Sequence, residues 1–434
     1  MPEIDLTTHW AGIASVFIFV AAYLLVVFEE STHMRKSKPV MLAAGLIWAL
    51  IGLAFLGMGD TESAGRHARE IIEEYGELFL FLLVAITYVN TMEERRTFDV
   101  LRAWLIGRGL GYRPLFLLTG VLAFFLSSVL DNLTTALVIG TVVMALGRDN
   151  PRFVTLGCIS TVVASNAGGA FSPFGDITTL MVWQAEKLSF FEFFDLFVPS
   201  VVNWAVPAAI LYFAIPNEKP PAVTDRARAK PGMWGVVALF GLTIAIAVSF
   251  KNFLHLPPAL GMMLGLGLLQ MFSYWLRLTG QRRNDEEFVL DSFKEVQRVE
   301  WDTLLFFFGI IFAVGGLGVL GYLSLASDLL FSDLGPTNAN VILGVLSAII
   351  DNIPLMFAVL TMDPSMSDGE WLLITLTCGT GGSLLSIGSA AGVALMGQAR
   401  GVYTFGAHLK WSWAVALGYL AAIGTHLLLN AALF

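Results

Sequence analysis

The stretch FLSSVLDNLTTALVIG, residues 125–140, places an aspartate, Asp131, between two apolar runs. A second stretch, LSAIIDNIPLMFAV at residues 346–359, repeats the same Asp-Asn pair at Asp351. A charged side chain at the centre of a membrane costs roughly 3 kcal/mol on insertion scales, so carboxylates there usually mark ion or proton paths. The role of these two aspartates therefore depends on whether the surrounding chain spans a membrane.

The composition is that of an all-α, polytopic membrane protein. Of the 434 residues, 56% are hydrophobic and only 14% are charged, and a spanning helix needs about 20 apolar residues. Runs of that kind occur near residues 11–28, 40–58, 78–92, 196–215, 234–250, 257–276, 303–325 and 411–433. Cys158 and Cys378 lie in apolar surroundings and predict buried thiols without a disulfide. The net charge of −9 belongs to loops and does not suggest nucleic acid as a partner.

The distribution of basic residues predicts the orientation of the chain. Six segments hold 21 of the 25 Lys and Arg residues: 29–39, 93–113, 148–152, 216–231, 277–300 and 398–410. Because Lys and Arg favour cytoplasmic loops, these segments are predicted to be cytoplasmic and the N-terminus to lie outside. The acidic segments 326–337 and 363–370 hold no Lys or Arg and are predicted to lie outside as well.

This orientation requires two re-entrant hairpins of opposite direction. Residues 114–147 must enter and leave from the cytoplasmic side, and residues 338–362 from the outer side, each with Asp-Asn at its tip. Such opposite orientation is typical of inverted repeats. Two further matches support a repeat: EYGELFLFLLVAI (74–86) resembles VEWDTLLFFFGII (299–311), and SNAGGAFSPFGDITT (165–179) resembles CGTGGSLLSIGSAAG (378–392).

The predicted organisation follows from these matches. N-terminal spanning helices of a scaffold occupy 1–60, the first repeat 61–215, linking helices and a cytoplasmic loop 216–300, and the second repeat 301–434. Within the repeats, broken helices are predicted at 153–186 and 371–398, after the hairpins 114–147 and 338–362.

The glycine-rich loops predict cation binding. Unwound backbone at bilayer depth is tolerated where it faces protein or a water-filled cavity. Glycines free the backbone from helical geometry, and Pro173 removes a helical donor. The freed carbonyls, with Ser and Asn oxygens, would suit a hard cation. The alternative is close packing of helices through small residues.

Four aspartates accompany these features, namely Asp131, Asp176, Asp302 and Asp351, with Glu77 as a further acid. All but Asp176 have a structural alternative. Asp302 and Glu77 would stabilise a helix dipole, whereas Asp131 and Asp351 would cap the helices that start at the hairpin tips. The six histidines are dispersed and predict packed or interfacial residues, while arginines 95, 96, 102, 108 and 113 predict an interfacial helix.

The motifs SSVLDN, SNAGGAFSPFGDITT, EWDTLLFFFG, SAIIDNIP and GTGGSLLSIGSAAG resemble those of NhaD-type sodium/proton antiporters of the ion transporter superfamily. The resemblance covers the chain from about residue 40 to the end. It implies ion- and proton-binding positions at Asp131, Asn132, Asn166, Asp176, Thr178, Thr179, Asp302, Thr303, Asp351 and Asn352. Supporting oxygen ligands would be Ser127, Ser347, Ser386 and Ser389.

The resemblance further implies an inner-membrane homodimer that exchanges cytoplasmic Na⁺ or Li⁺ for external H⁺. No cofactor and no enzymatic activity are expected, and the partners are these ions and membrane lipid. The alternatives are an arsenite, anion or dicarboxylate carrier of the same superfamily and, more remotely, an intramembrane aspartyl protease. The protease would need a GxGD motif at a predicted site aspartate, and FGDITT at residues 174–179 has the wrong spacing for one.

Overall fold

The computed structural model describes residues 5–220 and 227–434, and its regular elements there are all helical. The α-helices are α1 (Trp10–Val27), α2 (Glu29–Thr32), α3 (Ser37–Gly57), α4 (Ser63–Glu94), α5 (Thr97–Ile106), α6 (Tyr112–Ser127), α7 (Asn132–Leu146), α8 (Pro151–Ala170), α9 (Ile177–Gln184), α10 (Phe197–Ala214), α11 (Met233–Leu254), α12 (Pro258–Arg283), α13 (Ser292–Gln297), α14 (Trp301–Val319), α15 (Tyr322–Ser327), α16 (Pro336–Leu346), α17 (Asn352–Met362), α18 (Asp368–Gly381), α19 (Ala390–Gln398), α20 (Phe405–Leu409) and α21 (Ser412–Leu429). Short 3-10 or π turns occupy Glu192–Leu196, Glu286–Phe288, Asp328–Ser332 and Ala431–Leu433.

The described residues include eight helical segments that are long and apolar enough to cross a membrane. They are α1, α3, α8, α11, α12, α14, α21 and the segment Glu192–Ala214. The predicted all-helical, polytopic membrane class is therefore confirmed. The run predicted at 78–92 is only the apolar end of α4, which starts fifteen residues earlier at Ser63 with an acidic first half.

Each segment predicted to form a hairpin contains two short helices joined at its Asp-Asn pair. The first pair, α6 and α7, is interrupted at residues 128–131, and Asp131 caps α7 by accepting from the backbone N–H of Thr134 at 2.8 Å. In the second pair, α16 and α17, Asp351 caps α17 by accepting from the N–H of Ile353 at 3.1 Å. A carboxylate at this position satisfies backbone donors that a helix start leaves unpaired.

Two interrupted helices pack against these pairs. The helix that begins at Pro151 ends at Ala170 and resumes at Ile177, and the helix that begins at Asp368 ends at Gly381 and resumes at Ala390. A Cβ atom on Gly168 would lie 2.0 Å from the Phe124 carbonyl oxygen, and one on Gly381 would lie 1.9 Å from the Gly344 carbonyl oxygen. Glycine is required at both positions because the backbones touch.

The remaining long helices surround this centre. Helix α3 packs along α14, α10 along α21, and α11 along α12.

Arg95, at the end of α4, does not have the interfacial position that its arginine-rich sequence predicts. It is wholly buried and donates to the carbonyl oxygens of Pro231, Glu287 and Val289. The segments that follow α10 and α12 are thereby tied to the end of α4.

Candidate ion-binding site

Asp176 lies at the point where the two helix pairs and the first break meet. Its Oδ2 accepts from the amide nitrogen of Asn132 at 3.0 Å and from that of Asn352 at 3.1 Å. These asparagines follow the capping aspartates of α7 and α17. Its Oδ1 accepts from the backbone N–H of Thr178 at 3.3 Å, which caps α9. Asp176 is only 4% exposed. A single buried carboxylate therefore accepts hydrogen bonds from both hairpin tips.

Asn166 extends the network into the second break. Its Oδ1 accepts from Asn132 Nδ2 at 3.1 Å and from Ser389 Oγ at 3.1 Å. Its own Nδ2 donates to Ser383 Oγ at 2.8 Å and to Ser389 Oγ at 2.9 Å. The oxygen and the nitrogen of this buried amide both have hydrogen-bond partners, as is usual for buried polar groups. Because these partners include Ser383 and Ser389, the Asn166 side chain connects the first interrupted helix to the second break.

Four helix starts converge on this network: α7 and α17 from the hairpins, α9 and α19 from the interrupted helices. Their first turns carry Asn132, Asn352 and Thr178, and Ser389 precedes α19. Helix N-termini hold partial positive charge, which stabilises carboxylates nearby. The helices that precede them end at Ser127, Leu346, Ala170 and Gly381, and the last carbonyl oxygens of a helix have no partner within it, which makes them potential cation ligands.

The two predicted serine ligands at the hairpin tips make equivalent contacts. Ser127 donates to the Ser165 carbonyl oxygen at 2.6 Å, and Ser347 donates to the Cys378 carbonyl oxygen at 2.8 Å. Both serines are wholly buried. Each hydroxyl fastens a hairpin tip to the interrupted helix of its own half.

Thr178 supplies an oxygen with free lone pairs beside the carboxylate. Its Oγ1 is buried and has no hydrogen-bond partner among the described residues. A Cβ atom built on Gly379 would lie 3.8 Å from both Thr178 Oγ1 and Asp176 Oδ2. The two oxygens therefore border the same small gap. Thr179, in contrast, is used by the backbone, since its Oγ1 donates to the Ser172 carbonyl oxygen at 2.9 Å.

A cavity of about 120 Å³ leads to these residues. Its wall includes Asp131, Asn132, Asp176, Asp351 and Asn352 and, towards the ends of α3 and α14, Lys36, Glu300 and Thr303. Removal from water raises the pKa of Glu300, and the negative charge of Asp131 raises it further. Carboxylates outnumber the single lysine along this wall, so the cavity favours cations.

Three predicted residues lie away from the central network. Asp302 does not line the cavity, and its Oδ1 accepts from Ser37 Oγ at 2.5 Å. Glu77 lines a separate cavity of about 780 Å³ along the first half of α4. Ser386 is hydrogen-bonded to Tyr403 at 2.7 Å. Thr303, although it lines the narrow cavity, donates to Glu300 at 3.2 Å.

Sequence reasoning missed four residues that the structure brings to the site or its supports: Lys36, Glu300, Ser383 and His408. Glu300 is the first residue of the matched motif EWDTLLFFFG, and Ser383 follows the glycine pair of the second break, so both had a local signal. Within residues 5–220 and 227–434, three or more His, Cys, Asp or Glu side chains do not gather into a group that could hold a metal ion. The site is thus one of carboxylate, amide and hydroxyl oxygens.

Helices of spanning length that enclose a carboxylate between interrupted helices define a membrane transport protein. Comparison with known proteins is consistent with this class, since a family model described as "Citrate transporter" matches residues 6–379. The chain is 55% identical to the Na(+)/H(+) antiporter NhaD of Alkalimonas amylolytica, over 99% of this chain and 93% of that protein.

Two further relatives extend the comparison. The Na(+)/H(+) antiporter NhaD of Vibrio cholerae is 53% identical, over 98% of this chain and 94% of that protein. Sodium/proton antiporter 1 of Arabidopsis thaliana is 34% identical, over 96% of this chain and 72% of that protein. The chain therefore belongs to the family of the NhaD antiporters. It is a transporter, and the substrates of such a protein are ions.

Proposed function

We propose that this protein exchanges cytoplasmic Na⁺ or Li⁺ for external H⁺ across the inner membrane. The observation that carries the proposal is the position of Asp176, a buried carboxylate that accepts from the amides of both hairpin tips. The family relationship supports the same exchange, because relatives that cover nearly the whole chain are named Na(+)/H(+) antiporters.

In this proposal the cation and the proton compete for the same oxygens. Asp176 and the free hydroxyl of Thr178 provide oxygens around one gap. Asp131 and Asp351 add negative charge to the cavity wall. A carboxylate in a medium of low dielectric constant is least costly when a proton or a cation neutralises it. The protein therefore changes its access side when it is loaded, and the empty, charged state crosses rarely.

The two halves are proposed to form inverted repeats that alternate access. Equivalent contacts support this, since Ser127 and Ser347 each donate to the carbonyl of the matched positions Ser165 and Cys378. The narrow cavity ends near Lys36 and Glu300, in segments predicted to be cytoplasmic. We assign this structure to the inward-facing state, with Glu77 in an outer vestibule.

The proposal extends to the assembly. Helices α11 and α12 expose large apolar side chains, among them Trp234, Phe253, Met271 and Trp275. Such a surface is suited to lipid or to a second copy of the chain. A homodimer formed through α11 and α12 would place the transport elements at the periphery of the pair.

An anion carrier is the second candidate, since the matching family model is described as a citrate transporter. The cavity disfavours it because Asp131, Asp176, Asp351 and Glu300 line the wall with Lys36 as the single basic residue. The negative charges of citrate would be repelled by these carboxylates along the cavity. Transport of labelled citrate by the purified protein, with no Na⁺-dependent proton flux, would favour this candidate.

The exchange is tested by measuring Na⁺ affinity against pH. If Na⁺ and one H⁺ compete for common carboxylates, the apparent Na⁺ constant rises about tenfold per pH unit below the pKa of the site. Currents from proteoliposomes on a solid-supported membrane, at saturating and limiting Na⁺, measure this constant. A constant that stays flat from about pH 6 to pH 9, while only the maximal rate changes, would place the proton at a separate regulatory site.

The orientation is tested by labelling single cysteines in a variant that lacks Cys158 and Cys378. A cysteine in 148–152 should react with an impermeant reagent in everted vesicles, whereas one in 363–370 should react in intact cells. Labelling of both segments from the same face would contradict the inverted repeat.

A further inference from the structure

His408 is a buried histidine outside the ion site. It lies on the short helix α20, between α19 and α21, and its side chain has no exposed surface. Its Nδ1 is 2.8 Å from the hydroxyl of Tyr403, and its Nε2 is 2.8 Å from the carbonyl oxygen of Ser383. Both ring nitrogens are therefore engaged in a wholly buried environment.

The direction of these hydrogen bonds follows from their chemistry. A carbonyl oxygen can only accept, so His408 Nε2 carries a hydrogen and donates to Ser383. Burial lowers the pKa of His408 to about 4, so the ring is neutral at physiological pH and Nδ1 accepts from Tyr403. The Tyr403 hydroxyl, having donated, accepts from Ser386 Oγ at 2.7 Å.

The hydrogen bonds of His408 and Tyr403 run from Ser383 to Ser386, and both of these serines lie in the second helix break. Ser386 has φ +68°, in the left-handed region that residues with a Cβ rarely adopt. A conformation of this kind persists where its surroundings hold it, and the Tyr403 hydroxyl is the partner of its side chain. Ser383, at the other end, accepts from Asn166 Nδ2 at 2.8 Å.

The connection from Ser383 to the carboxylate is short. Asn166 Oδ1 accepts from Asn132 Nδ2, and the same nitrogen donates to Asp176 Oδ2. The position of the Ser383 backbone therefore sets where the Asn166 amide lies, and Asn166 sets the Asn132 amide. The first break differs because its own Thr179 ties the Ser172 carbonyl to the start of α9.

We propose that His408, together with Tyr403, is a positioning residue of the ion site. It holds the second break in place from a helix outside the hairpins and, through Ser383 and Asn166, orients the amide that faces Asp176. This role rests on the proposed Na⁺/H⁺ exchange and adds to it a determinant of Na⁺ affinity that touches neither ion.

Two substitutions separate the two hydrogen bonds of the ring. Asparagine places an acceptor near the position of Nδ1, so His408→Asn keeps the bond from Tyr403 and loses the bond to Ser383. Glutamine reaches the position of Nε2, so His408→Gln keeps a donor for Ser383 and loses the acceptor for Tyr403. Tyr403→Phe keeps the ring and removes only the hydroxyl.

A matched control is available in α21. His426 is also wholly buried, its Nε2 donates to the Gly369 carbonyl oxygen at 2.9 Å, and its Nδ1 is 2.9 Å from Asn430 Nδ2. It has the same pattern of partners and no link to Asn166. His426→Asn should therefore lower stability as His408→Asn does, without altering ion affinity.

The measurement is the KM for Na⁺ and the maximal rate of Na⁺-driven proton flux in proteoliposomes, with the melting temperature of each variant. His408→Asn should raise the Na⁺ KM about tenfold, with the maximal rate changed by less than about twofold. His408→Gln should shift KM less than His408→Asn does, and Tyr403→Phe should raise it about threefold.

The inference is overturned if folded His408→Asn has the wild-type Na⁺ KM, or if His426→Asn raises KM by the same factor. If neither His408 variant folds, Tyr403→Phe decides, because an unchanged KM in that variant rejects the proposal. A wild-type protein without Na⁺-dependent proton flux would instead reject the proposed exchange, so the two failures are distinguishable.

Discussion

The two hairpin tips are chemically alike, whereas the two helix breaks are not. Each tip has a buried serine, a capping aspartate and an asparagine that donates to Asp176. The first break contributes a carboxylate and an amide, Asp176 and Asn166. The matched positions of the second break are Ser389 and Gly379, a hydroxyl and a residue without a side chain.

This difference explains why both hairpins meet at one carboxylate. Two equal breaks would give two equal acidic sites, related by the symmetry of the repeats. Because the position matched to Asp176 is Ser389, both asparagine amides share one carboxylate. The second break contacts the site through the hydrogen bonds between Ser389 and Asn166. One central acid with two similar arms is the arrangement expected for a shared cation and proton.

The largest effect is expected for Asp176→Asn. It removes the central charge and converts two hydrogen bonds to an ionised group, which contribute about 1.5–3 kcal/mol each, into weaker ones to a neutral amide oxygen. Na⁺/H⁺ exchange in everted vesicles should fall by more than about 100-fold. Ser389→Ala, at the matched position, loses only hydroxyl contacts with Asn166 and should raise the Na⁺ KM by about threefold. Equal losses in both variants would contradict the asymmetry of the breaks.

A smaller effect is expected at the hairpin tips. Asp131→Asn and Asp351→Asn keep a side chain that caps α7 and α17 but remove a negative charge from the cavity wall. Each should raise the Na⁺ KM about tenfold with little change in melting temperature. The exposed Asp328 supplies the control Asp328→Asn. Normal exchange in both hairpin variants would mean that these aspartates act only as caps.

The smallest effect is expected at the mouth of the cavity. Because the pKa of Glu300 is raised by burial and by Asp131, its charge is present above that raised pKa and is lost as the pH falls through it. Glu300→Gln should therefore raise the Na⁺ KM about threefold at alkaline pH and approach the wild-type value as the pH is lowered. Glu286→Gln, on an exposed residue of the preceding segment, is the control. A KM ratio that is constant with pH would exclude titration of Glu300.

Much of the site was predictable because its residues interrupt apolar sequence. Asp131 and Asp351 are conspicuous within helices of low charge, and the glycines of the breaks mark backbone contact. The position of Asp302 was not predictable in this way, because its partner Ser37 is 265 residues away in the chain. For the same reason the sequence could not distinguish Asp302 near a helix start from Asp176 at the centre.

Buried polar residues with distant partners were the hardest to interpret. Arg95 has the sequence context of a headgroup-facing arginine, yet carbonyls from two linking segments enclose it. His408 has no local motif, since its partner Ser383 becomes a neighbour only when α20 folds against the second break. Periodicity reports which side of a helix is apolar, but it carries no information about such contacts between remote segments.

The hydrogen bonds of Asp131 and Asp176 have different consequences when a proton arrives. Asp131 Oδ2 is 2.6 Å from the Thr134 hydroxyl, and a hydroxyl can donate or accept. Protonation there requires only that one O–H bond rotate, so every heavy atom keeps its place.

Asp176 Oδ2 offers no such freedom, because both of its side-chain partners are amide N–H groups, which cannot accept. A proton that binds this oxygen makes it a donor that faces two other donors, so Asn132 or Asn352 has to move. Protonation of Asp176 therefore moves a side chain at a hairpin tip, whereas protonation of Asp131 leaves the heavy atoms in place. Protonation is thus coupled to the position of the hairpin tips at Asp176, and at Asp131 it is accommodated by rotation of the Thr134 hydroxyl.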